Sequence, residues 1–267
     1  MNQMKLIRLA AVGLILSITT SCVPVKKMIY LQGEEDISEM VFKYQKEEYK
    51  LQVNDIIDVQ IRSVNEEANK LFSVQGAQSQ QTMQAGIQGG GDLFYMTGFT
   101  INTNGAIELP YIGEIILEGK TLQEAKEVID EQVARLFKTY YLQVKLGGVR
   151  FSTLGEFNKS GKLVILQNQV TIYEAISAAG DLSPLAKRNE IRLIRQYPDG
   201  TKIHTINLLD QSIIGSPYYS IQPNDVLYAE PLPQKAYGLG VTGAQTITTL
   251  LSALSSSTAL YLTILSL

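Results

Sequence analysis

The chain has 267 residues, 45% of them hydrophobic and 18% charged, enough apolar material for one or two globular domains. With 26 acidic against 23 basic residues and a formal charge of −3, the balance argues against a nucleic-acid partner. A single cysteine and a single histidine exclude an intramolecular disulfide and leave little material for nucleophile–base catalysis.

At the N-terminus, Lys5 and Arg8 form a short basic region before an apolar run, LAAVGLILSI, too short to span a bilayer comfortably, and the small residues TTSC follow. This pattern describes a secretory signal peptide over residues 1–21. Cys22 stands where a lipoprotein signal is cut and acylated, with Ser21 before it and Thr19 in place of the usual Leu. Lipidation of Cys22 is therefore expected; a plainly cleaved signal would leave a free thiol in an oxidising compartment. Cleavage there removes Lys5 and Arg8 and leaves a formal −5. Val23, where an Asp would be an inner-membrane retention cue, points to the outer membrane, with the body in the periplasm. Residues 22–48, including VPVKKMIYLQGEED, read as a lipid-anchored linker whose Lys26–Lys27 pair could touch head groups.

The body repeats its own pieces. YKLQVNDIIDV (49–59) returns as YSIQPNDVLYA (219–229), each placing an Asn-Asp turn before a short buried strand. Asp55 and Asp225 are structural in this reading, since Asp bonds back to its own turn. A second pair, TLQEA and TIYEA, has Thr121 with Glu124 and Thr171 with Glu174 at capping-box spacing, so two helices are predicted to start there. In the first, Leu122, Ala125, Val128 or Ile129, Val133 and Leu136 form the apolar stripe; Gly180 stops the second. A third pair, YIGEIILEG and TLGEFNKSG, reads as a strand running into Gly-Glu and a turn. Further strands are expected in GFTINTNGAIELPYIG around an Asn104-Gly105 turn, in YYLQVKLGGVRF, and in EIRLIRQYPDGTKIHTINL around Pro-Asp-Gly. Residues 75–93, rich in Gln and Gly and aperiodic, read as a loop; Gly89, Gly90 and Gly91 do not sit between strand and helix, so no phosphate site is read there.

The order of these pieces, from Y-x-L-x-x-N-D through LPYIGEI, LGEFNKSGKL and TIYEAISAAGDLSPLAKRNEIRLIR to IQPNDVLYAEP, resembles the bacterial polysaccharide biosynthesis/export lipoproteins of the outer membrane. The resemblance implies an α+β fold of small mixed sheets, each packed by a helix: an export domain over 49–150 and a soluble-ligand-binding β-grasp domain over 151–235. Departures sit at turns, with Asn-Asp for the family's Gly-Asp, Ser160-Gly161 for Pro-Gly, and Gly180-Asp181 for a Gly pair. The function implied is a ring-forming translocon for capsular or exopolysaccharide, with the octamer as the form familiar from the family, working with an inner-membrane polysaccharide copolymerase or tyrosine kinase.

No charge occurs from Ala236 to Leu267. At helical spacing, Ile247, Leu250, Leu251, Leu254, Tyr261, Leu262 and Leu265 share one face, and Thr248, Thr249, Ser252, Ser255, Ser256 and Thr263 the other. Residues 236–267 are thus expected to carry an amphipathic transmembrane helix, lipid on the first face and a pore on the second, with small-residue packing between helices as the competing reading. His204 lies in an alternating run as a half-buried strand residue, and no cluster has metal-ligand spacing. No catalytic residue, metal or cofactor is expected. Two other functions stay open: a lipid-anchored sugar-binding protein without a pore, and a carbohydrate-processing enzyme, which would need two carboxylates facing one bond.

Overall fold

The computed structural model describes residues 24–33, 41–42, 48–63, 95, 97–236, 248–249, 251–257 and 263. Residues 1–23, with the signal peptide and Cys22, lie outside the described residues, as do residues 75–93.

Asn54, at φ 72°, turns the chain into β1 (Ile56–Ser63). β1 pairs antiparallel with β2 (Phe99–Thr100) on one side and, along its whole length, with β5 (Tyr140–Leu146) on the other. Between them lie a hairpin, β3 (Ala106–Leu109) and β4 (Gly113–Ile116), and helix α1 (Leu122–Leu136). Asn102 shapes the Asn104-Gly105 turn: its Oδ1 accepts from the N–H of Asn104 at 2.9 Å and of Ala106 at 3.0 Å.

Helix α1 begins in the expected capping box, with the Glu124 N–H donating to Thr121 and the Thr121 N–H to the Glu124 carboxylate at 2.7 Å. Ala125, Ile129 and Val133 are buried at a four-residue step, so Ile129 rather than Val128 heads the inner stripe. Leu136 is 52% exposed, contrary to expectation, because the chain turns extended at Phe137 and leaves the last turn uncovered.

YYLQVKLGGVRF is two strands in two sheets. Gly148, at φ 95°, breaks it, and the chain enters a five-stranded sheet ordered β10-β9-β12-β6-β7. Here β6 (Val149–Gly155) and β7 (Gly161–Ile165) form one hairpin, and β9 (Ala186–Tyr197) and β10 (Gly200–Ile206) the other, around Pro198-Asp199. The last strand, β12 (Asp225–Pro231), inserts between them, parallel to β6 and antiparallel to β9. Helix α2 (Ile172–Ala178), again capped by a Thr171–Glu174 box, buries Ile172, Ala175 and Ile176. It is flanked by β8 (Val170–Thr171), which pairs with β11 (Ser220–Ile221). A single turn, α3 (Pro233–Ala236), follows β12. One contiguous core runs through both sheets, joining Ile57, Ile129 and Leu146 to Phe151, Ile176, Leu193 and Leu227.

The third sequence pair does not occupy equivalent places. Gly113-Glu114 opens β4, whereas Gly155 closes β6 and Glu156 lies beyond it. The two share only a glycine at positive φ. Part of the expected linker is also docked: residues 24–33 bridge to the second sheet unit at Gln32 and Asp210.

Gly155 has φ 82°, and a Cβ there would lie 2.1 Å from the carbonyl oxygen of Ala229 on β12. Gly200 also has positive φ, but open space around it. Gly155→Ala should therefore lower stability by about 3 kcal/mol and Gly200→Ala by about 1 kcal/mol, read as the difference in urea midpoints of the two variants.

Candidate functional site

The tail residues singled out in the sequence are seen in part. Residues 248–249, 251–257 and 263 are helical, and their described side chains are all exposed, Leu251 and Leu254 together with Thr248, Thr249, Ser252, Ser255, Ser256 and Thr263. Ile247, Leu250, Tyr261, Leu262 and Leu265 lie outside the described residues. Among the described residues no helix is long and apolar enough to cross a membrane. The continuous stretch 251–257 rises about 10 Å, a third of a hydrocarbon core.

The hydroxyl donors turn inward. Ser252 donates to the carbonyl of Thr249 at 2.7 Å, Ser255 and Ser256 to that of Ser252 at 2.9 and 2.8 Å, and Ser257 to that of Leu254 at 2.9 Å. This back-bonding satisfies each O–H without water and leaves each oxygen able to accept. Such a face suits a wet lumen or close contact with another helix.

The repeated Asn-Asp turn is the best-built polar feature of the body. In each copy the carboxylate accepts from the N–H three residues earlier: Gln52 to Asp55 at 2.8 Å and Gln222 to Asp225 at 2.7 Å. Asn54 and Asn224 both sit at positive φ. The structural reading of both aspartates is thus seen in their geometry. Asp225 also receives Nε and an Nη of Arg195, at 3.0 and 2.7 Å, as a buried ion pair. Burial raises the Asp225 carboxyl, and the Arg195 bonds and charge oppose it.

Among the described residues Asp55 has no such cation at contact distance. Its Oδ2 accepts from the Tyr49 hydroxyl at 2.6 Å, while Oδ1 is buried with no hydrogen-bond partner among the described residues. Burial pushes this carboxyl up to about 6, against the pull of Tyr49, Gln52 and the Arg150 charge. Tyr49 in turn is driven upward by its burial and by Asp55, and it also senses the charges of Asp225 and Arg195. The two turns therefore meet where the two sheet units join.

His204 is half-buried on β10 as expected, stacked on Tyr218 at 4.2 Å with Tyr197 Oη 3.0 Å from its Nε2. Burial, with the charges of Arg195 and Lys202, lowers its pKa, so the ring is neutral near pH 7. Among the described residues no group of three or more His, Cys, Asp or Glu comes together to hold a metal.

A cavity of about 390 Å³ opens where the units join. Its floor is apolar, with Leu51 and Leu146, and its rim carries Gln123, Lys126, Asn168 and Gln169. Asn168 also accepts from the N–H of Leu146 at 3.3 Å, tying the second unit to β5. This cavity is not legible in the sequence, because its walls come from segments scattered along the chain. Arg195 as the partner of Asp225 is not singled out by the sequence either; the available signal is a basic residue on the core-facing register of β9.

Residues 43–147 match the family model described as polysaccharide biosynthesis/export protein. The EPS I polysaccharide export outer membrane protein EpsA of Ralstonia nicotianae is 31% identical to this chain over 104 residues, covering 38% of the chain and 27% of that protein. The protein of the same name from Ralstonia solanacearum is 29% identical over 102 residues, covering 37% of the chain and 27% of that protein. The chain thus spans about a quarter of the length of the curated relatives it matches, and residues 43–147, which match the family model, hold the first sheet unit with its Asn54-Asp55 turn.

Because the folded state raises Asp55 above its ordinary 3.8, the stability this group contributes is fully present below about pH 4 and is lost as pH rises through about 6. Relative to Asp55→Asn, which keeps an acceptor for Gln52 and Tyr49, the parent should lose up to about 3 kcal/mol between pH 4 and pH 7. Urea unfolding of both chains across that range measures the difference; parallel curves would show that Asp55 does not titrate there.

Proposed function

We propose, for a chain whose residues 43–147 match the polysaccharide biosynthesis/export family, that it is a lipid-anchored outer-membrane protein that exports capsular or exopolysaccharide through a ring of its own copies. The match over the first sheet unit carries this reading, and the names of the two Ralstonia relatives support its outer-membrane setting. The chain's role is then transport, not catalysis.

In this reading residues 49–150 form the export domain and 151–235 a β-grasp domain. The order β10-β9-β12-β6-β7 supports the second assignment: the last strand lies between two hairpins and runs parallel to the first strand of the sheet, with a helix between the hairpins in sequence. Cys22 carries the lipid. The tail crosses the membrane with Thr248, Thr249, Ser252, Ser255, Ser256 and Thr263 toward the lumen and Ile247, Leu250, Leu251, Leu254, Tyr261, Leu262 and Leu265 toward lipid. A serine whose O–H is spent on its own helix still accepts a hydrogen bond from a sugar hydroxyl, weakly and without charge, which suits passage rather than capture. The expected partner at the other end of the path is an inner-membrane polysaccharide copolymerase, with or without its tyrosine kinase.

A second reading, a lipid-anchored sugar-binding protein without a pore, draws on the cavity between the units. An apolar floor rimmed by amides and the charged Lys126 and Glu48 has the mixed character that a sugar ring requires.

The tail discriminates the two readings. Leu251→Asp should cost about 3 kcal/mol per helix if that position meets lipid near mid-membrane, whereas Ser252→Asp in a wet lumen should cost much less. Membrane assembly and surface polymer are the readouts, beside truncation from Thr246. Equal tolerance of both substitutions, or normal export without the tail, would rule the pore out and favour the binder. Intact mass of the parent against Cys22→Ser tests the anchor, an unchanged mature mass counting against it.

A further inference from the structure

Pro24 follows Cys22 by two residues, so it lies at most about 7 Å along the chain from any lipid carried there. From Pro24 onward the chain does not hang free. Val25–Lys27 make one 3₁₀ turn, and the Gln32 amide folds the segment on itself by donating to the carbonyls of Lys26 and Ile29, both at 2.6 Å. The Leu31 N–H donates to Leu208 O at 3.3 Å, the Gln32 N–H to Leu209 O, and the Gln211 N–H to Gln32 O at 3.2 Å.

Tyr30 is the clasp. Its ring meets Tyr173 edge-on at 5.7 Å, the buried Arg188 guanidinium lies 4.6 Å above it, and its hydroxyl donates to Asp181 Oδ1 at 2.5 Å. Arg188 is itself held by the Leu182 carbonyl at 3.0 Å and by Asp181 at 3.5 Å. Leu31 accepts a left-handed φ of 55°, a conformation that a leucine holds only when its surroundings impose it.

The other end of the body returns to the same loop. The Leu232 N–H donates to Leu185 O at 2.7 Å, and Lys235 pairs at 2.5 Å with Glu156, which also accepts from Ser183 at 2.6 Å. The segment leading in from Cys22 and the segment leading out to the uncharged tail thus both dock on residues 181–185. On the strap itself Val25 is 69% and Ile29 50% exposed, and Lys26 and Lys27 are exposed beside them. Two apolar side chains among two cations next to an acyl chain match an anionic phospholipid surface.

We infer that residues 24–33 are a rigid mount: Tyr30 locks the strap to the second sheet unit, and Val25, Lys26, Lys27 and Ile29 lie on the phospholipid surface, so that this unit rather than the first is held against the membrane. The inference rests on the lipidation of Cys22 proposed above. It turns a tether into an orientation, fixing which end of the body meets the bilayer.

The chain has no tryptophan, so one introduced indole reports one place. Full-length acylated protein carrying Ile29→Trp, or Val25→Trp as a second site, is placed in phosphatidylethanolamine–phosphatidylglycerol vesicles with or without brominated acyl chains. Its emission should fall at least about twofold with bromine, while Ile116→Trp, on exposed β4 of the first unit, should change by under about a tenth. Tyr30→Ala should raise the rate of tryptic cleavage after Lys26 and Lys27 about tenfold, with Tyr30→Phe, which keeps the ring contacts, in between. Absence of quenching at positions 25 and 29 in protein whose mass proves acylation, equal quenching at 116, or unchanged cleavage in Tyr30→Ala would each overturn the mount while leaving the lipoprotein reading intact. A mass showing Cys22 unmodified would overturn both.

Discussion

The parallel pairing of Val149–Gly155 with Asp225–Pro231 is the contact on which the rest of the body depends. Two parallel neighbours need a long connection, and here it runs from Glu156 to Asn224 and includes one side strand, the helix, a whole hairpin and the short β8–β11 pair. Until the last strand inserts, neither hairpin has a partner on its inner edge. Its entry is guarded at one end by the Asn224-Asp225 turn, whose Asn224 N–H donates to Arg150 O at 2.7 Å, and at the other by Gly155, where only a hydrogen fits against Ala229. The Arg195–Asp225 pair then fixes the register of that strand against β9 from inside the core. A buried pair of this kind is costly to form and more costly to break singly, so its contribution is specificity of register as much as stability.

The same turn is used twice under different electrostatic conditions. In the second copy a guanidinium shares the burial of the carboxylate; in the first, Tyr49 supplies one hydrogen bond, and the other oxygen has no partner among the described residues. The tyrosine six residues before the aspartate is present in both copies, yet Tyr219 packs against Tyr173 at 6.3 Å while Tyr49 reaches the carboxylate. Repetition of sequence has preserved the local turn and let the surroundings diverge.

The two ends of the chain acquire their meaning from the body between them. Residues 24–33 and 232–235 converge on one loop of the second unit, and in the tail the hydroxyls of Ser252, Ser255, Ser256 and Ser257 are already bonded to their own helix. A polar stripe satisfied in this way can enter an apolar environment without stranding a donor, and it still offers acceptors to a passing hydroxyl.

The amino-acid sequence by itself determined what is decided within a few residues: both capping boxes, both Asn-Asp turns and the Pro198-Asp199 hairpin all depend on side chains bonding to neighbouring backbone or on a φ that glycine or asparagine tolerates. The family resemblance was legible there too, because it is written in those same turns. The tertiary structure alone decided which aspartate found a cation, that Leu136 rather than Ile129 stayed in water, that the two Gly-Glu motifs fell at opposite ends of strands, and that Tyr30 was drawn between Tyr173, Arg188 and Asp181. Those outcomes depend on partners distant in sequence, 30 residues for Arg195 with Asp225 and 151 for Tyr30 with Asp181, and partners of that kind are chosen by closure of the sheet rather than by any local pattern.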